Sequence, residues 1–150
     1  ERQPCRSDKG PMGCREILML MLDTHILVWL DQGSDFLGAK ARKSIEAAYQ
    51  REELVLSTVS FWEIGMLVEH RRLAFAGVLA EWRVNLLNSG LIEIPANGAI
   101  SIVAAGLKNF EGDPVDRLIV ATALAEKARL VTADERLLGH RSIRTISGVS

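Results

Sequence analysis

From Ile17 onward, short apolar runs alternate with longer stretches in which apolar residues recur at helical period, the pattern of a mostly parallel sheet covered by helices. Residues 17–22, 54–57, 91–94, 130–132 and 143–146 are short runs rich in branched apolar side chains, and they predict five strands. The intervening periodicity predicts helices over 24–31, 38–52, 61–71, 78–88, 98–108 and 115–128, with one further turn after Asp134. Several helix starts are marked by their own chemistry. Ser60 with Glu63 three positions later reads as a capping box, and Asp113 before Pro114 pairs a good N-cap with a residue favoured at the first helical position. Pro95 and Asn97 separate the third strand from the helix that follows. The expected fold is therefore an α/β domain with a mostly parallel, five-stranded sheet sandwiched by helices.

Length and composition narrow this picture. A chain of 150 residues, 48% hydrophobic, can bury one sizeable core and is too short for two ordinary domains. Residues 1–16 carry prolines, glycines and mixed charge without periodicity and read as a flexible tail or extension outside the fold, with Met19 or Met21 as possible native starts, so the domain is expected over 17–150. The run Ile17 to Leu22 after Arg15 has the look of a signal peptide, but Asp23 and His25 interrupt it and no small-residue cleavage site follows. It is also far below the ~20 apolar residues of a membrane helix. No membrane association is expected. Cys5 and Cys14 both lie in the tail and offer neither a disulfide framework nor zinc-ligand spacing, which fits a reducing cytoplasm. The formal net charge of -1 excludes a basic coat that would bind nucleic acid non-specifically, so any such contact must be local.

The chemistry lies in the acids. Asp23, Glu63, Asp116 with its neighbour Asp113, and Asp134 each fall where a strand hands over to a helix. In an open parallel sheet those positions share one edge and converge on a common crevice. Like charges brought that close raise one another's pKa unless something neutralises them. An all-oxygen donor set suits Mg2+ or Mn2+, which retain waters and accept phosphate oxygens and can supply hydroxide near neutral pH. Each acid taken alone also has a structural reading, as a helix N-cap or a macrodipole partner. Around them, Thr24, His25 and Thr132 are placed to orient a carboxylate or contact substrate, and Arg117, directly after Asp116, is placed to meet a phosphate. His70 and His140 read as surface residues, and Trp29, Trp62 and Trp82 as core.

Together, Met21-Leu-Asp-Thr-His25, Ser60-Phe-Trp-Glu-Ile64, Asp113-Pro-Val-Asp-Arg-Leu-Ile-Val-Ala121 and Leu130-Val-Thr-Ala-Asp134 resemble the PIN-domain family, and most closely its VapC-type toxins. The likeness runs from about Met19 to the C-terminus, with the motifs in matching order and spacing. It implies a parallel sheet between helices, an Mg2+- or Mn2+-dependent endoribonuclease, a homodimer, and silencing by an antitoxin protein encoded alongside. On the matching positions, Asp23, Glu63, Asp116 and Asp134 form the acidic quartet. Asp113 and Asp116 are the two acids of one motif; Asp116 is taken as the main ligand because it directly precedes the Leu-Ile-Val-Ala run, with Asp113 in support. A carboxylate pocket should also attract a cation, so the antitoxin is expected to insert an Arg-bearing segment near Asp23, Glu63 and Asp116. Two alternatives compete. A phosphatase of the haloacid dehalogenase kind needs a second Asp where this chain has His25, and a non-catalytic PIN-like scaffold would be expected to lack one of the acids. None is missing.

Overall fold

Successive residues of a strand face opposite sides of a sheet, so a strand with consecutive apolar residues must be covered on both faces. That is the case for the three central strands of this computed structural model, which describes residues 18–150. The expected tail and Ile17 lie outside the described residues. Leu20 and Leu22 of β1 (Leu20–Leu22) enter one core cluster while Met21 enters the other. Leu54 and Leu56 of β2 (Leu54–Ser57) part from Val55 in the same way, as Val131 does from Leu130 in β4 (Arg129–Thr132).

The first face is covered by α1 (Thr24–Gln32), α2 (Ala39–Gln50), α3 (Thr58–Glu69) and α4 (Leu79–Ser89), through Ile26, Leu27, Ile45, Ile64 and Leu86. The second is covered by α6 (Pro114–Ala125) and the single turn α7 (Glu135–Leu138), through Val115, Ile119, Val120, Ala123 and Leu137. Between β3 (Ile92–Ile94) and α6, helix α5 (Gly98–Ala105) packs Ile100 and Ala104 against Ala121. Among the described residues no helix is long and apolar enough to cross a membrane.

The sheet order is β3-β2-β1-β4-β5, closed by β5 (Thr145–Ser147), and every neighbouring pair is parallel. After β3 the chain crosses over β1 to reach β4, so the winding reverses between β1 and β4. Loops leaving these two strands part to opposite faces and open a crevice beyond their carboxyl ends. Asp23 follows β1 directly, and Asp134 follows β4 after Ala133.

Most expected elements are present with shifted ends, and three differences have physical causes. The capping box at Ser60 and Glu63 does not form: α3 begins at Thr58, capped by the Ser57 hydroxyl, which accepts from Val59 N at 3.3 Å. The last residue of β2 is itself the cap, so strand passes into helix with no intervening loop. The fifth strand starts at Thr145 rather than Ile143, because Ile143 turns into the second core cluster and pairing with β4 starts after it. Trp62 is not core. It stands 61% exposed on α3, whereas Trp29 and Trp82 pack against the first cluster as expected.

Candidate active site

Asp23 is 3% exposed at the head of the crevice. Its backbone closes β1 by donating to Val131 O, and its extended conformation makes it the N-cap of α1. The carboxylate accepts from Thr24 N at 2.8 Å on Oδ1 and from the Thr132 hydroxyl at 2.6 Å on Oδ2. Thr132 thereby joins the ends of β1 and β4 at the point where the winding reverses. His25 braces the same junction: its Nε2 accepts from Ala133 N at 3.1 Å, which leaves the neutral ring's proton on Nδ1, 3.6 Å from Asp23 Oδ2. The ring stands edge-on to Trp29.

Thr24, fully buried, donates from its hydroxyl to the Ser60 hydroxyl at 3.0 Å, tying α1 to the first turn of α3. With Ser60 committed there, Glu63 is not spent on capping and lies one turn further along α3, half-buried toward the acids. Its carboxyl is raised above the ordinary range, chiefly by burial and further by Asp23 and Asp113, while the Thr24 hydroxyl and His25 pull it down. Asp116, in the first turn of α6, is raised from 3.8 to about 6 by burial, then by Asp113, Asp23 and Glu63. Asp113 is exposed and acts on the backbone, where its Oδ1 accepts from Asp116 N at 2.9 Å as the N-cap of α6.

Asp134 caps α7 by accepting from Arg136 N, and sequence reading missed what its carboxylate meets. Arg136 grips both oxygens of Asp134, with Nε at 3.2 Å and Nη2 at 2.8 Å, and reaches Asp116 Oδ2 at 3.4 Å. This guanidinium holds the Asp134 carboxyl below its ordinary range. An Arg two positions beyond an N-cap acid was the available signal. Arg117 takes no place among the acids. Its guanidinium donates to the carbonyls of Ala104, Leu107 and Phe110, fastening the loop after α5 to α6. Beside Glu63 and Asp113 opens a shallow groove of about 290 Å³, lined by Trp62, Met66 and Pro114 among others.

Asp23, Glu63 and Asp116 are thus within electrostatic reach of one another, with Asp113 beside them and Asp134 joined through Arg136. Among the described residues, no three acidic, His or Cys side chains already surround a single point as an ion would require. The donor set nevertheless fits a hard divalent cation. It is all carboxylate and hydroxyl, and its charge repulsion is relieved only by protonation or by a cation.

A parallel sheet whose winding reverses at an acidic crevice, on motifs in this order, defines a class: residues 20–141 match the PIN domain model, and the chain belongs to that family. Ribonuclease VapC22 of Mycobacterium tuberculosis (strain ATCC 25618 / H37Rv) is 33% identical over 129 residues, covering 85% of this chain and 96% of that protein. The resemblance to the VapC type therefore holds over nearly the whole domain. Two solved structures share the fold. VapBC2 from Rickettsia felis bound to a DNA fragment from their promoter aligns with a TM-score of 0.64 at 18% identity, covering 86% of this chain and 98% of that one. A toxin-antitoxin complex from Klebsiella pneumoniae aligns with a TM-score of 0.61 at 19% identity, covering 86% and 97%.

The raised Asp116 carboxyl has a consequence for stability. Between its ordinary value of 3.8 and about 6, the folded chain holds a proton that the unfolded chain has released, so stability falls as pH rises through that window. Asp116→Asn, which cannot ionise, should therefore be more stable than the parent above about pH 6 in chelator, with the advantage fading toward pH 4. Urea titrations across this range read the difference directly. A less stable Asp116→Asn protein at pH 7 would contradict the assignment.

Proposed function

We propose that this chain is a metal-dependent endoribonuclease, the toxin of a toxin-antitoxin pair, acting on RNA in the cytoplasm. The observation that carries the reading is the convergence of Asp23, Glu63 and Asp116 at the reversal point of the sheet, where burial and neighbouring carboxylates raise Glu63 and Asp116, in a chain whose relative in Mycobacterium tuberculosis is a ribonuclease. Asp23, Glu63, Asp116 and Asp134 would hold Mg2+ or Mn2+, with Asp113 in support. Bound there, the ion would lower the pKa of a water and stabilise the leaving oxygen of the phosphodiester. The chain's own residues do the positioning. Thr132 and the Thr24 amide fix the Asp23 carboxylate, His25 clamps the β1 and β4 ends together, and Ser60 with Thr24 sets the depth of Glu63. The phosphatase alternative is weakened further here, because the position where it needs an acid holds His25, bonded to the backbone of Ala133.

Solved structures of the same fold include toxin-antitoxin complexes, which supports a cognate antitoxin for this chain too. A partner Arg near Asp23, Glu63 and Asp116 would neutralise the same charge that metal does. A homodimer would cover apolar side chains left open on α5, where Ile102 is 76% and Val103 43% exposed.

Incubation with total cellular RNA, with and without Mg2+, followed by sequencing of the new ends, tests the activity. Asp23→Asn, Glu63→Gln and Asp116→Asn should abolish Mg2+-dependent cleavage, and Asp113→Asn should lose far less, since Asn caps a helix nearly as well as Asp. A fully active Asp23→Asn enzyme would sink the reading. So would growth arrest by that variant on expression, because toxicity would then not come from RNA cleavage. For the dimer, light scattering should find two chains at tens of micromolar (roughly, given ordinary association strengths) and one for Ile102→Asp. A parent protein that is monomeric there would remove the dimer from the proposal.

A further inference from the structure

Among the acids sits a cation that the carboxylate chemistry does not require. Arg136 leans across the crevice from α7, held at three points: both oxygens of Asp134, the carbonyl of Glu111 through Nη1 at 2.7 Å, and Asp116 Oδ2. The contacts are unequal. The Asp134 and Glu111 bonds at 2.8 and 2.7 Å are at full charge-assisted strength, whereas the arm to Asp116 is long at 3.4 Å. The side chain is also 56% exposed, so an incoming ligand can reach it from solvent.

Resting on the ribonuclease reading above, we propose that Arg136 is the site's resident cation, occupying Asp116 and Asp134 while no divalent ion is bound and gripping an RNA phosphate once the ion has taken Asp116. The long arm is the one that yields: an exposed ion pair at that distance is weak and readily exchanged. Asp134 and the Glu111 carbonyl keep the guanidinium in place when Asp116 leaves it. The Nη2 hydrogen released from Asp116 and the second hydrogen of Nη1 then form the guanidinium's remaining open edge, two parallel donors for an RNA phosphate, while Nε and the other Nη2 hydrogen stay on Asp134. Arg136 is a competitor of the ion before substrate arrives and a positioning residue for substrate afterwards. A merely structural brace between α7 and the loop at Glu111 would do neither.

Two binding measurements on the full chain separate these roles without reading activity. Mn2+ titration followed by electron paramagnetic resonance should show Arg136→Gln binding the ion about three-fold tighter or more, because a competing positive charge has gone. In a Glu63→Gln background that does not cleave, with Mn2+ added to saturation as read by electron paramagnetic resonance, a single-stranded RNA oligonucleotide should bind about ten-fold more weakly when Arg136→Gln is added. The log-log dependence of affinity on salt should also become shallower by about 0.7, the loss of one phosphate contact on a single strand. Arg136→Lys keeps the charge but not the fork, and should restore the salt slope more than the affinity. Unchanged or weaker Mn2+ binding by Arg136→Gln, or an unaltered salt slope, would overturn the proposal and leave the ribonuclease reading standing. A parent protein that takes up no Mn2+ would remove both.

Discussion

Carboxylates resist being crowded, and this fold crowds them where solvent relieves them least. Asp23 is buried at the head of the crevice, with Glu63 and Asp116 half-buried beside it; Glu63 is made harder to ionise by Asp23 and Asp113, and Asp116 by Asp113, Asp23 and Glu63. Burial makes the larger contribution at both Glu63 and Asp116, and neighbouring charge adds to it. The arrangement persists because the backbone leaves no alternative. Asp23 ends the central strand and begins α1, Asp116 occupies the first turn of α6, and Glu63 lies on the helix that leaves β2 without a loop. Relocating Asp23 would mean moving a strand end whose neighbours are buried on both faces; Asp113 and Asp116 do not follow a strand as expected, since α6 comes after α5 and a loop, and are fixed instead by the packing of α6.

What surrounds the acids divides the burden. Thr132 and the Thr24 amide satisfy Asp23, so the most buried carboxylate of the site has a hydrogen bond on each oxygen. Asp113 caps α6, and Arg136 neutralises Asp134. Glu63 and Asp116 stay hard to ionise, Asp116 with only the long Arg136 arm at 3.4 Å beside it, which makes them the pair most responsive to an incoming cation. The two-faced core serves the same end. By covering the sheet on both sides it forces the chain to reverse between β1 and β4, and that reversal is the crevice.

Much of this was legible in the sequence because it rests on local signals. Continuous apolar runs mark the buried strands, and an acid directly after each of two such runs, at Asp23 and near Asp134, marks the crevice edge. The Asp113-Pro114 pair marks the start of α6, one residue ahead of the 115 that the periodicity predicts. Less legible was whatever depends on which of two similar local signals wins. Ser57 and Ser60 are both competent caps, and only the tertiary bond from Thr24 to Ser60 decides between them. Arg117 and Arg136 each sit within two residues of a site acid. Sequence spacing favours Arg117, but the helical turn sends it toward the carbonyls of Ala104, Leu107 and Phe110, while Arg136 folds back over the acids. Trp62 looks like core from its apolar neighbours, yet faces outward because Phe61 and Ile64 already take the inward positions on α3.

The central claim is that these carboxylates share a charge which a divalent cation relieves. Carbon-detected nuclear magnetic resonance of the Asp and Glu carboxyl groups, titrated with pH in chelator and again in Mg2+, tests it most directly. Without metal, Asp116 should titrate near 6, well above its ordinary value of 3.8. In Mg2+ its midpoint should fall, with that of Glu63 moving the same way, because the ion favours their charged forms. Midpoints for Asp116 and Glu63 that do not move on adding Mg2+ would contradict the account.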